Sequence, residues 1–217
     1  MVRIYPSLMA ANQLRLEDEI RQLEPYCAGF HLDVMDYHFV PNITWGAGTI
    51  NAIAKISRKI IWLHLMVDDP ISFYETLFLP EGSLVSFHIE SNIDIFYFIK
   101  IIKEKKHRVG LAIKPKTPII YVFPFLNIIN QVLLMSVEPG FSGQSFLDES
   151  MDRLIQLAEY RKNHTIDFKI GIDGGINMDN IVNLVQNGAD DCAIATSIFH
   201  HENHIVALKQ LNKLAVK

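Results

Sequence analysis

The chain has 217 residues, enough for one sizeable core and within the range of a compact eight-unit barrel. Hydrophobic residues make up 49% and charged residues 20%, and the formal net charge of -4 gives no reason to expect a nucleic acid or an anionic membrane as partner. Residues 1–7 carry one basic side chain and no apolar stretch of signal-peptide length, and the longest apolar region, 119–134, is broken by Pro124, Asn127, Asn130 and Gln131 before it reaches a membrane span of ~18 residues.

In chain order, short apolar runs alternate with amphipathic segments. A strand is expected over 3–7, then a helix over 14–23 with Leu16, Ile20 and Leu23 on one side and Glu17, Asp18, Arg21 and Gln22 on the other. Strands follow over 29–33, 60–65, 84–88, 109–113 and 131–136, rich in Ile, Val, Leu and Phe. A helix over 151–160 carries Leu154, Leu157 and Ala158 on its apolar side. After a strand over 168–173, a helix over 178–185 opens behind Asn177 as N-cap and closes at Gly188. A strand over 191–195 and a helix over 206–214 end the pattern. Cys27 and Cys192 have no CxxC spacing and read as two reduced, buried thiols of a cytoplasmic protein.

Eight apolar strands with intervening helices imply an α/β fold with a parallel sheet buried on both faces. An open doubly wound sheet is compatible with the pattern. The count of eight and the position of the polar residues favour a (β/α)8 TIM barrel, with 1–217 as a single domain.

Those polar residues fall at strand C-termini, which in a barrel converge on the rim that carries active sites. The ends are Ser7, His31-Leu-Asp33, His64, His88, Ser136 and Asp173. His31 and Asp33 are two apart, so they point to one face, and His64 and Asp173 can reach the same space from other strands. Two imidazoles and two carboxylates suit a divalent transition metal. His88 is either a fifth ligand or a rim hydrogen-bonder. Three turns follow the last strands: 139–144, with Gly140 and Gly143; Asp173-Gly174-Gly175; and Ala195-Thr196-Ser197. Turns at these positions are where barrels commonly hold a phosphate.

Taken in order, Pro6-Ser7-Leu8, Phe30-His-Leu-Asp-Val-Met-Asp36, His38-Phe-Val-Pro-Asn-Ile-Thr44, His64-Leu-Met-Val67, Gly110-Leu-Ala-Ile-Lys-Pro115, Met135-Ser-Val-Glu-Pro-Gly-Phe141, Gly143-Gln144 and Asp173-Gly-Gly175 resemble the ribulose-phosphate 3-epimerase family. The resemblance implies one divalent cation (Zn, Fe(II), Mn or Co) held by His31, Asp33, His64 and Asp173, with Asp33 and Asp173 also the acid/base pair. It implies a small sugar phosphate as substrate, contacted by Ser7, His64, Met35, Met66 and Met135. Gly140, Gly143, Gly174, Gly175, Thr196 and Ser197 would line the phosphate end. The implied reaction is D-ribulose 5-phosphate to D-xylulose 5-phosphate through a cis-enediolate, in the pentose phosphate pathway, by a homo-oligomer. Ser7-Leu8-Met9 also resembles the allulose-6-phosphate 3-epimerases, which leaves sugar length open.

Two positions depart from the family pattern. Tyr37 and Ala195 stand where glycine is usual, so either the first loop is reshaped or Tyr37 lies over the entrance, and Ala195 could weaken phosphate binding. They motivate a rival reading, a non-catalytic sugar-phosphate-binding barrel, against which the intact set of four ligand-type residues argues. A phosphate-binding decarboxylase would need a lysine in the stretch His31-Leu-Asp-Val-Met-Asp36, and there is none.

Overall fold

The computed structural model describes residues 2–216. Eight strands, β1 (Arg3–Pro6), β2 (Gly29–Met35), β3 (Ile60–Met66), β4 (Leu84–His88), β5 (Arg108–Ile113), β6 (Gln131–Met135), β7 (Lys169–Asp173) and β8 (Asp191–Ile194), pair in parallel in the order β1-β8-β7-β6-β5-β4-β3-β2. β2 returns to β1 through the bridge Ser7↔His31 and a hydrogen bond from Ala28 N–H to the Ile4 carbonyl at 3.0 Å. The sheet therefore nearly closes on itself, and the fold is a TIM barrel.

Alternation along each strand divides its side chains between two cores. Phe30, Leu32 and Val34 point outward with Ile61, Leu63 and Leu65 into the layer beneath the helices. Each such side chain contributes about 1.5–3 kcal/mol by leaving water. The inward set fills the barrel with Tyr5, Trp62, Leu84, Ala112, Leu133, Met135 and Ala193. Below them the Arg3 Nε–H and Nη2–H donate to both Asp191 carboxylate oxygens at 2.6 and 2.8 Å, and the Gln131 side-chain amide donates to the same carboxylate at 2.8 Å. Apolar packing thus plugs the middle, and polar inward residues are left for the two ends.

The helices are α1 (Leu16–Leu23), α2 (Ala47–Ile56), α3 (Pro70–Glu75), α4 (Ile95–Glu104), α5 (Glu149–His164), α6 (Ile181–Gln186), α7 (Thr196–Phe199) and α8 (His204–Leu214). Expected strands agree to within two residues at either end. The expected helix over 14–23 begins instead as a 3-10 turn, Gln13–Arg15, capped by the Asn12 side chain, and Leu14 within that turn is 96% exposed. Asn177 does accept from the amides of Asp179 and Asn180, but it caps a turn; α6 begins after Asn180. The apolar region 119–134 splits into a 3-10 segment, Ile119–Phe125, and β6. No helix among the described residues is long and apolar enough to cross a membrane.

Candidate active site and metal centre

β2 ends in a locked geometry. The Thr44 hydroxyl donates to the Asp33 carbonyl at 2.7 Å and accepts from the Met35 amide at 3.0 Å, so the chain returning from the β2 loop fixes the strand end. The register pairs Asp33 with His64 and Met135 with Asp173, which puts the ends of β2, β3, β6 and β7 in one layer. Ser136 completes the rim, its hydroxyl donating to the Asp173 and Gly174 carbonyls at 3.0 and 2.6 Å.

Inside this ring His31, Asp33, His64 and Asp173 offer four ligand atoms all within 4.8 Å of one another. His31 Nε2 lies 3.1 Å from Asp33 Oδ1 and 3.4 Å from Asp173 Oδ2; His64 Nδ1 lies 3.1 and 3.3 Å from the same two oxygens. Ligands bound at 2.0–2.1 Å to one cation sit about 3.0 Å apart in an octahedron and about 3.4 Å apart in a tetrahedron. The four histidine–aspartate separations fall in that interval. Ser7 Oγ–H donates to the other Asp33 oxygen at 2.7 Å, which leaves Oδ1 to face the two rings.

The electrostatics ask for positive charge at the same point. Burial disfavours charged imidazoles, but the carboxylates of Asp33 and Asp173 overcome it and raise the pKa of His31 and His64. Burial likewise works against the two carboxylates, yet the facing rings hold both below the usual carboxylate range. A divalent cation would satisfy the pair of carboxylates without protonating the rings, so the donor set fits one. The His31 ring stands edge-on to Trp62 at 4.5 Å, and its Nδ1 is buried with no hydrogen-bond partner. His88 is not a fifth ligand-type group at this point: its Nε2 meets His64 Nε2 at 2.9 Å, on the far side of that ring.

Asp33 and Asp173 face a cleft at this rim. Its wall carries Ser7, Met35, Met66 and Met135 together with Gly140, Gly143, Gly174, Gly175 and Thr196. Two residues expected against the substrate stand apart from this wall. His64 is fully buried with both ring nitrogens engaged, so it has no nitrogen left for a sugar. The Ser197 hydroxyl donates to the Ile176 carbonyl at 2.7 Å and ties α7 to the β7 loop. Met9, Val137 and Phe141 also line the cleft. Spacing gave no signal for them, since loop residues have no fixed side-chain period. At Gly175, with φ of 63°, a Cβ would lie 2.3 Å from the Phe146 amide nitrogen, so the turn admits no side chain there.

The two departures from glycine resolve differently. Tyr37 keeps a left-handed backbone, φ 68°, its amide donating to the Asn42 carbonyl at 2.9 Å and its ring 64% exposed. The turn is therefore retained rather than reshaped, and Tyr37 is not among the residues lining the cleft. Ala195 has φ of -102°, outside the left-handed region that favours glycine, and it lines the cleft.

The fold and this centre define a TIM barrel with a two-histidine, two-carboxylate site at the C-terminal ends of its strands. Residues 3–199 match the model of the Ribulose-phosphate 3 epimerase family, and the chain belongs to that family. It is 34% identical to the ribulose-phosphate 3-epimerase of Aquifex aeolicus (strain VF5), over 99% of this chain and 97% of that one, and 36% identical to that of Serratia marcescens, over 90% and 94%. In three dimensions it resembles the 3-hexulose-6-phosphate synthase of Salmonella typhimurium with a TM-score of 0.70, over 99% and 98% of the two chains; at 14% identity this likeness concerns the fold alone.

Proposed function

We propose that this chain is a divalent-cation-dependent epimerase acting at C3 of a ketose phosphate, converting D-ribulose 5-phosphate to D-xylulose 5-phosphate. The observation that carries the reading is that two carboxylates, Asp33 and Asp173, from separate strands, share a buried two-histidine centre and both face the cleft. Membership of the family supports the substrate.

Inverting C3 needs a proton removed next to the carbonyl and another delivered to the opposite face. When bound, a divalent cation at His31, Asp33, His64 and Asp173 supplies Lewis-acid stabilisation of the charge developing on the substrate oxygens. One of Asp33 and Asp173 takes the C3 proton, giving the cis-enediolate, and the other, which the free site holds ionised and which must take up a proton before turnover, delivers that proton from the far side. Reversal exchanges the roles, so no net proton is consumed. The Ser7 hydroxyl holds Asp33 in place through its second oxygen. Met35, Met66 and Met135 exclude water around the reacting carbons without offering a competing proton. The glycine turns and Thr196 take the phosphate end of the sugar.

The test is a coupled assay of ribulose 5-phosphate conversion on protein stripped by a chelator and then restored with Zn, Fe(II), Mn or Co. Activity lost and regained with the cation supports the reading. Inactivity with every cation moves the substrate to a hexulose phosphate such as allulose 6-phosphate; solvent deuterium entering C3 of neither sugar leaves a binding-only barrel. Asp33→Asn and Asp173→Asn are expected to lower turnover at least about a hundredfold; near-normal turnover in either purified variant would sink the two-carboxylate mechanism.

A further inference from the structure

The two imidazoles of the centre are supported unequally. His31 Nδ1 has no hydrogen-bond partner, whereas His64 Nε2 meets His88 Nε2 at 2.9 Å. The chain continues outward. His88 Nδ1 lies 3.1 Å from Glu90 Oε2, and the Lys114 amide donates to Glu90 Oε1 at 2.8 Å. The His64 and His88 rings stack with centroids 5.1 Å apart, and Phe39 packs on the other ring at 4.8 Å, so neither imidazole has room to turn. His64 and His88 are fully buried, and neither His88 nor Glu90 lines the cleft.

Only one arrangement of protons satisfies this chain around a cation. His64 can ligate through Nδ1 only with its proton on Nε2. That N–H must donate to His88 Nε2, which must therefore carry a lone pair. The His88 proton is then on Nδ1, from which it donates to Glu90. The geometry supplies both conditions: His88 Nε2 faces the His64 N–H, and Glu90, anchored by the Lys114 amide, offers Oε2 to His88 Nδ1. One carboxylate near the rim thus dictates the tautomer of two imidazoles in series. A ligand whose outer nitrogen is so fixed is pre-oriented and more basic.

We propose that His88 and Glu90 are positioning residues that fix the tautomer of His64 and so set the affinity of the centre for its divalent cation. This rests on the cation reading above. The readout is the dissociation constant of Zn²⁺ and Co²⁺ on the stripped protein, by competition with a chromophoric chelator, together with the Co²⁺ absorption spectrum. Glu90→Gln keeps the shape and removes the charge; it is expected to weaken binding ten- to a hundredfold and to shift the Co²⁺ bands, with the melting temperature of the stripped protein unchanged. His88→Gln is expected to weaken it at least as much, and Glu90→Asp to recover part of the loss. Affinity within threefold of wild type in Glu90→Gln would overturn the inference. So would a loss that tracks a drop in stripped-protein stability and is not relieved in Glu90→Asp. A wild-type chain that takes up neither ion would overturn the cation reading itself, a different result from wild-type uptake with unaffected variants.

Discussion

A left-handed backbone costs a residue with a side chain about 1–2 kcal/mol, and Tyr37 bears that cost at φ 68° on an exposed loop. Glycine at this position escapes the strain but gives back part of the gain through its greater freedom when unfolded. Tyr37→Gly is therefore expected to exceed Tyr37→Ala in unfolding free energy by roughly 0.5–1 kcal/mol in urea denaturation. The cysteines behave oppositely, as inert core: burial pushes the Cys27 thiol up to about 12 and that of Cys192 higher still. Neither is expected to react with a disulfide reagent at pH 8 until denaturant is added, when both of the chain's thiols should react. At this scale the sequence was informative where one residue type and a two-residue spacing sufficed, as for His31 and Asp33. It was silent on Glu90, because a partnership with His88 depends on side-chain directions at a strand end and in the loop beyond it.

Elements were legible in proportion to how one-sided their chemistry is. The strands are buried on both faces and so appear as apolar runs with a polar residue at the tip. α1 and α5 keep a regular apolar stripe. α4 hides its period, because Phe96 and Tyr97 are exposed beside the buried Phe98, Ile99 and Ile102. α3 has six residues and starts at a proline, too short for any period to show. The crossing from β5 to β6 contains Pro118 and Pro124 and winds as a 3-10 segment. α3 is joined to the residue preceding β5 by a buried hydrogen bond, Tyr74 Oη to His107 Nδ1 at 2.6 Å, while His107 Nε2–H donates to the Leu79 carbonyl at 3.2 Å. This arrangement needs a neutral ring, and burial lowers the His107 pKa accordingly. The unfolded chain then binds a proton that the folded chain refuses, so stability is complete above the ordinary histidine pKa of about 6.5 and falls as the pH drops below it. Unfolding free energies of the wild type and of His107→Gln, measured from pH 7.5 to 5, should differ by this slope.

At the scale of the whole molecule, eight alternating units are visible in the chain, but closure is not, because a doubly wound sheet uses the same apolar runs. Closure is settled by pairing, and the pairing is uneven. Seven joints of the ring are strand ladders; the eighth, between β1 and β2, comes down to Ser7↔His31 and the Ala28–Ile4 hydrogen bond. The ring's slackest joint thus runs into its chemical centre, since Ser7 also grips Asp33. Around the ring, β2 and β7 flank this joint with only β1 and β8 between them, and His31, Asp33 and Asp173 reach across from them. A cation held there would act as a cross-brace over the slack side. In amide hydrogen exchange, the protons of β1 and of the start of β2 should exchange sooner than those of β4 and β5, and adding the cation should slow the first set while leaving the second unchanged. The barrel would then breathe at one place only, and the ion proposed to serve its chemistry would also be what stills it.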